Sequence, residues 1–183
     1  FNGENADISN NQFKGINNFL INISKNGTLS NTIIETTLGS ISLGNGSKLI
    51  NVNLTKMESE GGFEMNYNSD KIDIVNSSIN ISDPKTNINL NGKNTSIINS
   101  YLNVHYTRTY GNKFTINNKI QLKSNNINIE NSTINILSKI TRDYWMHYTY
   151  SDIYLNATNN LKIKNSNITS KIYNADNQGG YAK

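Results

Sequence analysis

The sequence predicts an all-β fold, a parallel β-helix (β-solenoid) with extended loop insertions, and three observations lead to this prediction. Strand and turn formers dominate: the 183 residues include 37 Asn, 19 Ser, 15 Thr and 26 Ile, but only 12 Leu and 4 Ala. A short asparagine-centred motif recurs seven times. Alternating apolar pairs precede most copies of the motif, and alternation at a period of two is typical of strands with one buried face.

The motif consists of an apolar residue, any residue, Asn, two further residues and a second apolar residue. Its asparagines are separated by 21, 20, 25, 23, 32 and 34 residues, which indicates a unit of about 20 residues that is lengthened in some copies. Each unit can form one closed coil that pairs with the next coil. We expect a rod of roughly seven coils with one internal column, formed by Ile8, Leu29, Leu49, Ile74, Ile97, Ile129 and Ile163.

The asparagine of each motif is expected at a corner between two strands. Asn tolerates the left-handed backbone conformation of a sharp corner, and its amide can bond to the Asn of the next coil. We predict a structural ladder whose interior members leave a buried amide unpaired when they are replaced by Ala. Its members are Asn31, Asn51, Asn76, Asn99, Asn131 and Asn165.

Composition excludes several kinds of site. The chain has no cysteine and only two histidines, so neither a thiolate site nor a histidine-rich metal site is expected, and we predict no metal and no cofactor. The net charge is +4, but the lysines are dispersed, which argues against a nucleic-acid partner. No apolar run reaches the roughly 18 residues of a spanning helix, so the chain is not expected to be membrane-embedded. Because it begins at Phe1, residues 1–183 are interpreted as a single β-helix segment excised from a longer exoprotein.

Two insertions, residues 101–113 and 142–154, account for the last two long spacings. They contain both arginines, both histidines, the only Trp and seven of the ten tyrosines. A weaker insertion at residues 58–70 brings Phe63, Met65 and Tyr67. Insertions that leave their coils at equivalent points should gather on one side of the rod, which is usually the binding side. The candidate ligand-binding residues are Tyr106, Arg108, Tyr110, Arg142, Tyr144, Trp145, His147 and Tyr148.

These residue types suit a carbohydrate ligand. Tyr and Trp offer flat amphipathic surfaces to sugar rings, and Arg offers a bidentate fork to a carboxylate. The alternative is that the aromatic side chains fold back and pack against the coil. No carboxylate recurs at coil spacing to form a catalytic or metal-holding ladder, so we expect no catalytic residues and no enzyme activity.

The coil repeat, the opening residues 1–8 and the short runs at 155–158 and 163–168 resemble the HMW-type adhesins of Haemophilus. These adhesins are members of the two-partner-secreted, filamentous haemagglutinin-like exoproteins. The resemblance implies a right-handed parallel β-helix, export through an outer-membrane secretion partner, display on the bacterial cell surface, and adhesion to host glycans. The aromatic insertions match no motif of that family.

The residues and the resemblance together favour a host-receptor-binding segment of a secreted bacterial surface adhesin that recognises a host-cell glycan or glycoprotein and acts as a monomer. A purely structural stalk segment of the same kind of exoprotein is the alternative. A polysaccharide-degrading β-helix enzyme is the third interpretation.

Overall fold

The chain forms one parallel β-solenoid in the computed structural model, which describes residues 1–58, 61–108, 115–141, 148–174 and 180–182. All strand pairings in these ranges are parallel. The strands are β1 (Asn2–Glu4), β2 (Asp7–Ser9), β3 (Gln12–Ile16), β4 (Phe19–Lys25), β5 (Thr28–Thr36), β6 (Gly39–Asn45), β7 (Lys48–Lys56), β8 (Phe63–Val75), β9 (Ser78–Ser82), β10 (Thr86–Ile98), β11 (Tyr101–Arg108), β12 (Thr115–Glu130), β13 (Thr133–Ile140), β14 (Tyr148–Lys164), β15 (Asn167–Asn174) and β16 (Gly180–Ala182).

Each coil has three sides, which follow from the strand pairings. The first side stacks β1, β4, β6, the first halves of β8, β10, β12 and β14, and finally β16. The second side stacks β2, the starts of β5 and β7, and the second halves of the long strands. The third side stacks β3, the ends of β5 and β7, and then β9, β11, β13 and β15. The described strands thus make seven coils and begin an eighth, as the repeat predicts.

The predicted internal column is confirmed by the strand register. Each of its residues pairs directly with the next, from Ile8 opposite Leu29 to Ile129 opposite Ile163. All members are buried except Ile163, which is 45% exposed because no described strand stacks on it. A second column on the third side starts with Phe13 opposite Ile34 and runs to Ile168. These columns belong to one continuous apolar core.

The interpretation of residues 58–70 as an insertion is wrong for most of its length. Phe63, Met65 and Tyr67 lie on β8 and point into the core, stacked on Gly39, Ile41 and Leu43 of β6. Their spacing of two residues is the strand period, so the three side chains share one face of the strand. The extra length of this coil is confined to the connection between β7 and β8.

Two corners of the coil differ in what they carry. We call the corner between the second and third sides the asparagine corner, because an Asn with positive φ marks it in every coil: Asn10, Asn31, Asn51, Asn76, Asn99, Asn131 and Asn165. We call the corner between the third side and the next first side the loop corner. The connections from β7 to β8, β11 to β12 and β13 to β14 all belong to the loop corner, so the two long insertions leave their coils at equivalent points. Their predicted bounds of 101–113 and 142–154 are wrong, because β11 takes up residues 101–108 and β14 takes up residues 148–154.

Candidate functional site

The bases of the two long insertions lie side by side at the loop corner. Arg108 ends β11 and pairs with Ile140 at the end of β13. The carbonyl oxygen of Arg108 accepts hydrogen bonds from the backbone N–H of Thr141 at 2.9 Å and from its hydroxyl at 3.1 Å. Both insertions therefore start from neighbouring points on adjacent coils. Five predicted ligand-binding residues fall outside the described residues: Tyr110, Arg142, Tyr144, Trp145 and His147.

Tyr106 belongs to the interior and not to an exposed binding face. The inward residues of β11 alternate as Leu102, Val104 and Tyr106, and the ring of Tyr106 is only 3% exposed. It forms a small apolar cluster with Ile116 and Ile140. Tyr106 therefore packs against the coil, as the alternative interpretation expects, because a buried ring cannot contact a ligand in solvent.

Tyr148 opens a row of exposed tyrosines along the outward face of β14. Tyr148, Tyr150 and Tyr154 are 42%, 39% and 41% exposed. They occupy alternate positions of the strand, with Asp152 between the last two, because successive side chains of a strand point to opposite faces. We call these three residues the tyrosine row. It begins at the first residue of β14, directly after the connection from β13, so the row runs along the first side from the loop corner.

Two charged groups, Lys119 and Asp152, contact Tyr154 at the far end of the tyrosine row. The Nζ of Lys119, on the neighbouring strand β12, lies 5.1 Å from the centroid of the Tyr154 ring. The Tyr154 hydroxyl donates to Oδ2 of Asp152 at 3.3 Å. The charge of Asp152 raises the pKa of the Tyr154 hydroxyl above its ordinary value, with smaller contributions from desolvation and from this hydrogen bond. These contacts restrict the ring of Tyr154 without covering it.

Shallow depressions lined in part by amides lie on the first side, up to strand β12, which neighbours the tyrosine row. One has a volume of about 340 Å³, and another, nearer the loop corner, about 320 Å³. Amides offer both donors and acceptors, as sugar hydroxyls do, so this surface complements a carbohydrate. The residues that line them include Asn66, Asn68, Asn89, Asn91, Gln121 and Lys123 in the first, and Lys85, Asn87, Asn117 and Lys119 in the second.

The asparagine corner carries side-chain amide bonds between coils. Asn51 donates to Asn31 at 2.7 Å, and Asn99 donates to Asn76 at 3.2 Å. Asn131 donates to Asn99 at 3.2 Å and Asn165 to Asn131 at 3.3 Å. Among the described contacts, none joins the side chains of Asn51 and Asn76. The prediction of buried amides is wrong: these side chains are exposed, because the corner turns them outward. Their backbone conformation, with φ between 47° and 54°, is the stronger reason for Asn at these positions.

Buried hydroxyl groups at this corner belong to the residue after four of the asparagines, which sequence reasoning missed: Thr32, Ser77, Ser100 and Ser132. The backbone N–H of Ser77 donates to Oγ of Ser100 at 3.2 Å, and that of Ser132 to Oγ of Ser166 at 3.1 Å. Ser77, Ser100 and Ser132 are buried, and each hydroxyl also donates to the carbonyl two residues earlier. We call this set the serine ladder. Its signal in the sequence is the recurring Asn-Ser or Asn-Thr pair, at 31–32, 76–77, 99–100, 131–132 and 165–166.

The described part of the chain shows no group of three or more His, Asp or Glu residues placed to hold a metal ion. Over the same ranges, no helix is long and apolar enough to cross a membrane. Comparisons with protein-family models, with curated proteins and with solved structures found no match for this chain.

Proposed function

We propose that this chain is a glycan-binding segment of a secreted bacterial surface adhesin and that it acts without catalysis. One observation carries the proposal: the tyrosine row is an exposed aromatic strip on a rigid first side, next to the insertions that hold the remaining aromatic and arginine residues. Large exposed aromatic side chains invite association, so three of them in one row favour a binding role.

Rigidity supports this role. The tyrosine row lies on a strand that pairs along almost its whole length with β12, so the rings are held at fixed separations before a ligand arrives. A preorganised surface loses less conformational entropy on binding. The affinity of one segment is expected to be weak, and many copies on a cell surface raise it through effective concentration.

The resemblance described above supplies the remaining parts of the proposal. Export through an outer-membrane partner, display on the bacterial surface and a monomeric state are expected of an adhesin segment of that kind. A host-cell glycan or glycoprotein is the proposed ligand.

A structural stalk segment is the second candidate, and outward asparagine columns favour it. Asn103 donates to Asn80 at 3.5 Å and Asn135 to Asn103 at 2.7 Å on the third side, and Asn126 donates to Asn94 at 2.8 Å on the second. Such columns tie successive coils together without offering an aromatic surface.

A glycan array with the purified chain separates these functions. Binding that is lost in the Arg142→Ala and Trp145→Ala variants and weakened in Tyr150→Ala supports the adhesin segment. Tyr101→Ala serves as the matched control, because Tyr101 is as exposed as Tyr150, at 39%, but lies on the third side. If the parent chain binds no glycan, the structural stalk segment is the better interpretation. Release of reducing ends from a bound polysaccharide would instead indicate a polysaccharide-degrading enzyme.

A further inference from the structure

A charged pair lies inside the solenoid. Lys56 ends β7 on the third side, and Asp83 follows β9 one coil further along the axis. The Nζ of Lys56 lies 2.5 Å from Oδ2 of Asp83, and both side chains are 0% exposed. Removing two charges from water carries a desolvation cost, so the burial of this pair in the core is energetically unfavourable in itself.

The carboxyl group of Asp83 is held in one orientation. Its Oδ1 accepts the backbone N–H of Lys85 at 2.8 Å. The turn is anchored on both sides, because Asn117 donates its backbone N–H to Pro84 at 2.7 Å and Phe63 donates to Lys85 at 3.0 Å. A carboxyl C–O bond is about 1.2 Å long, so Nζ of Lys56 lies no more than about 3.7 Å from Cγ of Asp83. This separation is close to that of reacting atoms held for attack.

We propose that Lys56 and Asp83 condense to an intramolecular isopeptide bond that joins two adjacent coils. A proton first passes from Nζ to Oδ2, which converts the ion pair into an amine and a carboxylic acid. The Nζ lone pair then attacks Cγ, the Nζ–Cγ bond forms, and the Cγ–Oδ2 bond breaks. Oδ2 leaves as water with two hydrogens that both came from Nζ, so the reaction needs no oxidant, reductant or further reactant.

The surroundings favour this reaction in two ways. The Lys85 N–H at Oδ1 stabilises the negative charge that develops on that oxygen during attack. The product replaces two buried charges by one neutral amide, which removes their desolvation cost. The fixed turn holds the Asp83 carboxyl group close to the Lys56 amine. This proximity gives a high effective concentration, which an amine and a carboxylic acid do not have when they are free in water.

The intact mass of the purified chain tests the proposal. We expect a mass lower than that of the sequence by one water, and a branched peptide containing both residues after digestion. Trypsin should not cleave after Lys56, since an acylated lysine is not a substrate. An unchanged sequence mass, both in fresh protein and after prolonged incubation at neutral pH, overturns the proposal whatever the variants do.

Two variants sharpen the test. In Asp83→Asn the same attack expels ammonia and yields the same amide, so its final mass should equal that of the cross-linked parent. Lys56→Met has no nucleophile and should keep its full sequence mass, with circular dichroism reporting whether it folds. A loss of water that persists in Lys56→Met would place the condensation elsewhere and would also overturn the assignment.

Discussion

The backbone N–H of Ser100 donates to Oγ of Ser132 in the next coil at 3.1 Å, inside the asparagine corner. The same Ser100 offers its own Oγ to the N–H of Ser77 in the preceding coil at 3.2 Å. One hydroxyl therefore satisfies a buried N–H that the strand ladder leaves unpaired at the bend, and the repetition of this bond makes the sharp corner compatible with burial.

Removing one hydroxyl of the serine ladder should destabilise the rod. Ser100→Ala leaves the buried N–H of Ser77 without its acceptor, and we expect a loss of about 1–3 kcal/mol in the free energy of unfolding. Urea denaturation followed by circular dichroism measures it. Ser96→Ala is the matched control, because Ser96 lies on β10 just before the same corner and is half-buried. It should change stability by no more than about 0.5 kcal/mol. Equal losses in the two variants would contradict the ladder's role.

Asn99 tests whether backbone conformation or the amide bond matters more at the asparagine corner. Its φ is 48° and its side chain is exposed. Asn99→Ala should cost about 1–2 kcal/mol, because an alanine strains in the left-handed region. Asn99→Gly keeps that conformation and loses only an exposed bond, so it should cost less. If glycine costs as much as alanine in chemical denaturation, the amide bonds dominate instead.

Alkaline pH should destabilise the rod through Tyr67. Burial raises the pKa of its hydroxyl well above the ordinary 10.0. Two smaller effects come from Asp73: a backbone hydrogen bond lowers this pKa, and the charge of the carboxylate raises it. The pKa of Tyr67 is higher in the folded state than in the unfolded state. Its contribution to the free energy of unfolding is therefore fully present below about pH 10 and is lost as the pH rises above that value.

The Tyr67→Phe variant isolates that effect. It loses the hydrogen bond from the Tyr67 hydroxyl to the carbonyl of Ser47 and should be less stable at neutral pH. Its unfolding free energy should nevertheless fall less steeply above about pH 10 than that of the parent. Parallel curves for the two proteins, measured by urea denaturation across this range, would show that Tyr67 does not govern the alkaline loss.

The tyrosine row should carry binding if the adhesin proposal holds. We expect Tyr150→Ala to weaken the affinity for a glycan found on the array about tenfold, equivalent to about 1.4 kcal/mol, while thermal stability is retained. Tyr101→Ala should bind as the parent does. Equal weakening by both variants in a titration would show that the first side is not the binding side.

Periodicity predicted the columns because each coil repeats the same inward positions. Ile74 and Ile97 are separated by one coil, and the register places them opposite each other. Chain spacing alone misplaced Phe63 and Met65, since an excess of residues reveals that a coil is longer but not where the extra residues lie. Only the alternation with Tyr67 shows that these side chains continue a buried strand.

The aromatic content of the insertions could not show that Tyr106 is buried while Tyr148 is exposed. Both lie near the same corner, yet one points inward on β11 and the other outward on β14, and this depends on strand parity rather than on residue type. The serine ladder escaped prediction because serine reads as an ordinary turn residue until the register stacks one serine on the next.

Lys56 and Asp83 span the junction between the third and fourth coils, where the amide column from Asn31 to Asn165 is interrupted, since no described bond joins Asn51 to Asn76. Pulling on the two ends of such a rod loads its junctions in series, so the weakest one opens first. This junction lacks the amide bond at the asparagine corner and holds the buried Lys56–Asp83 pair near the loop corner. Under tension it should hinge about the loop corner, which carries the insertions.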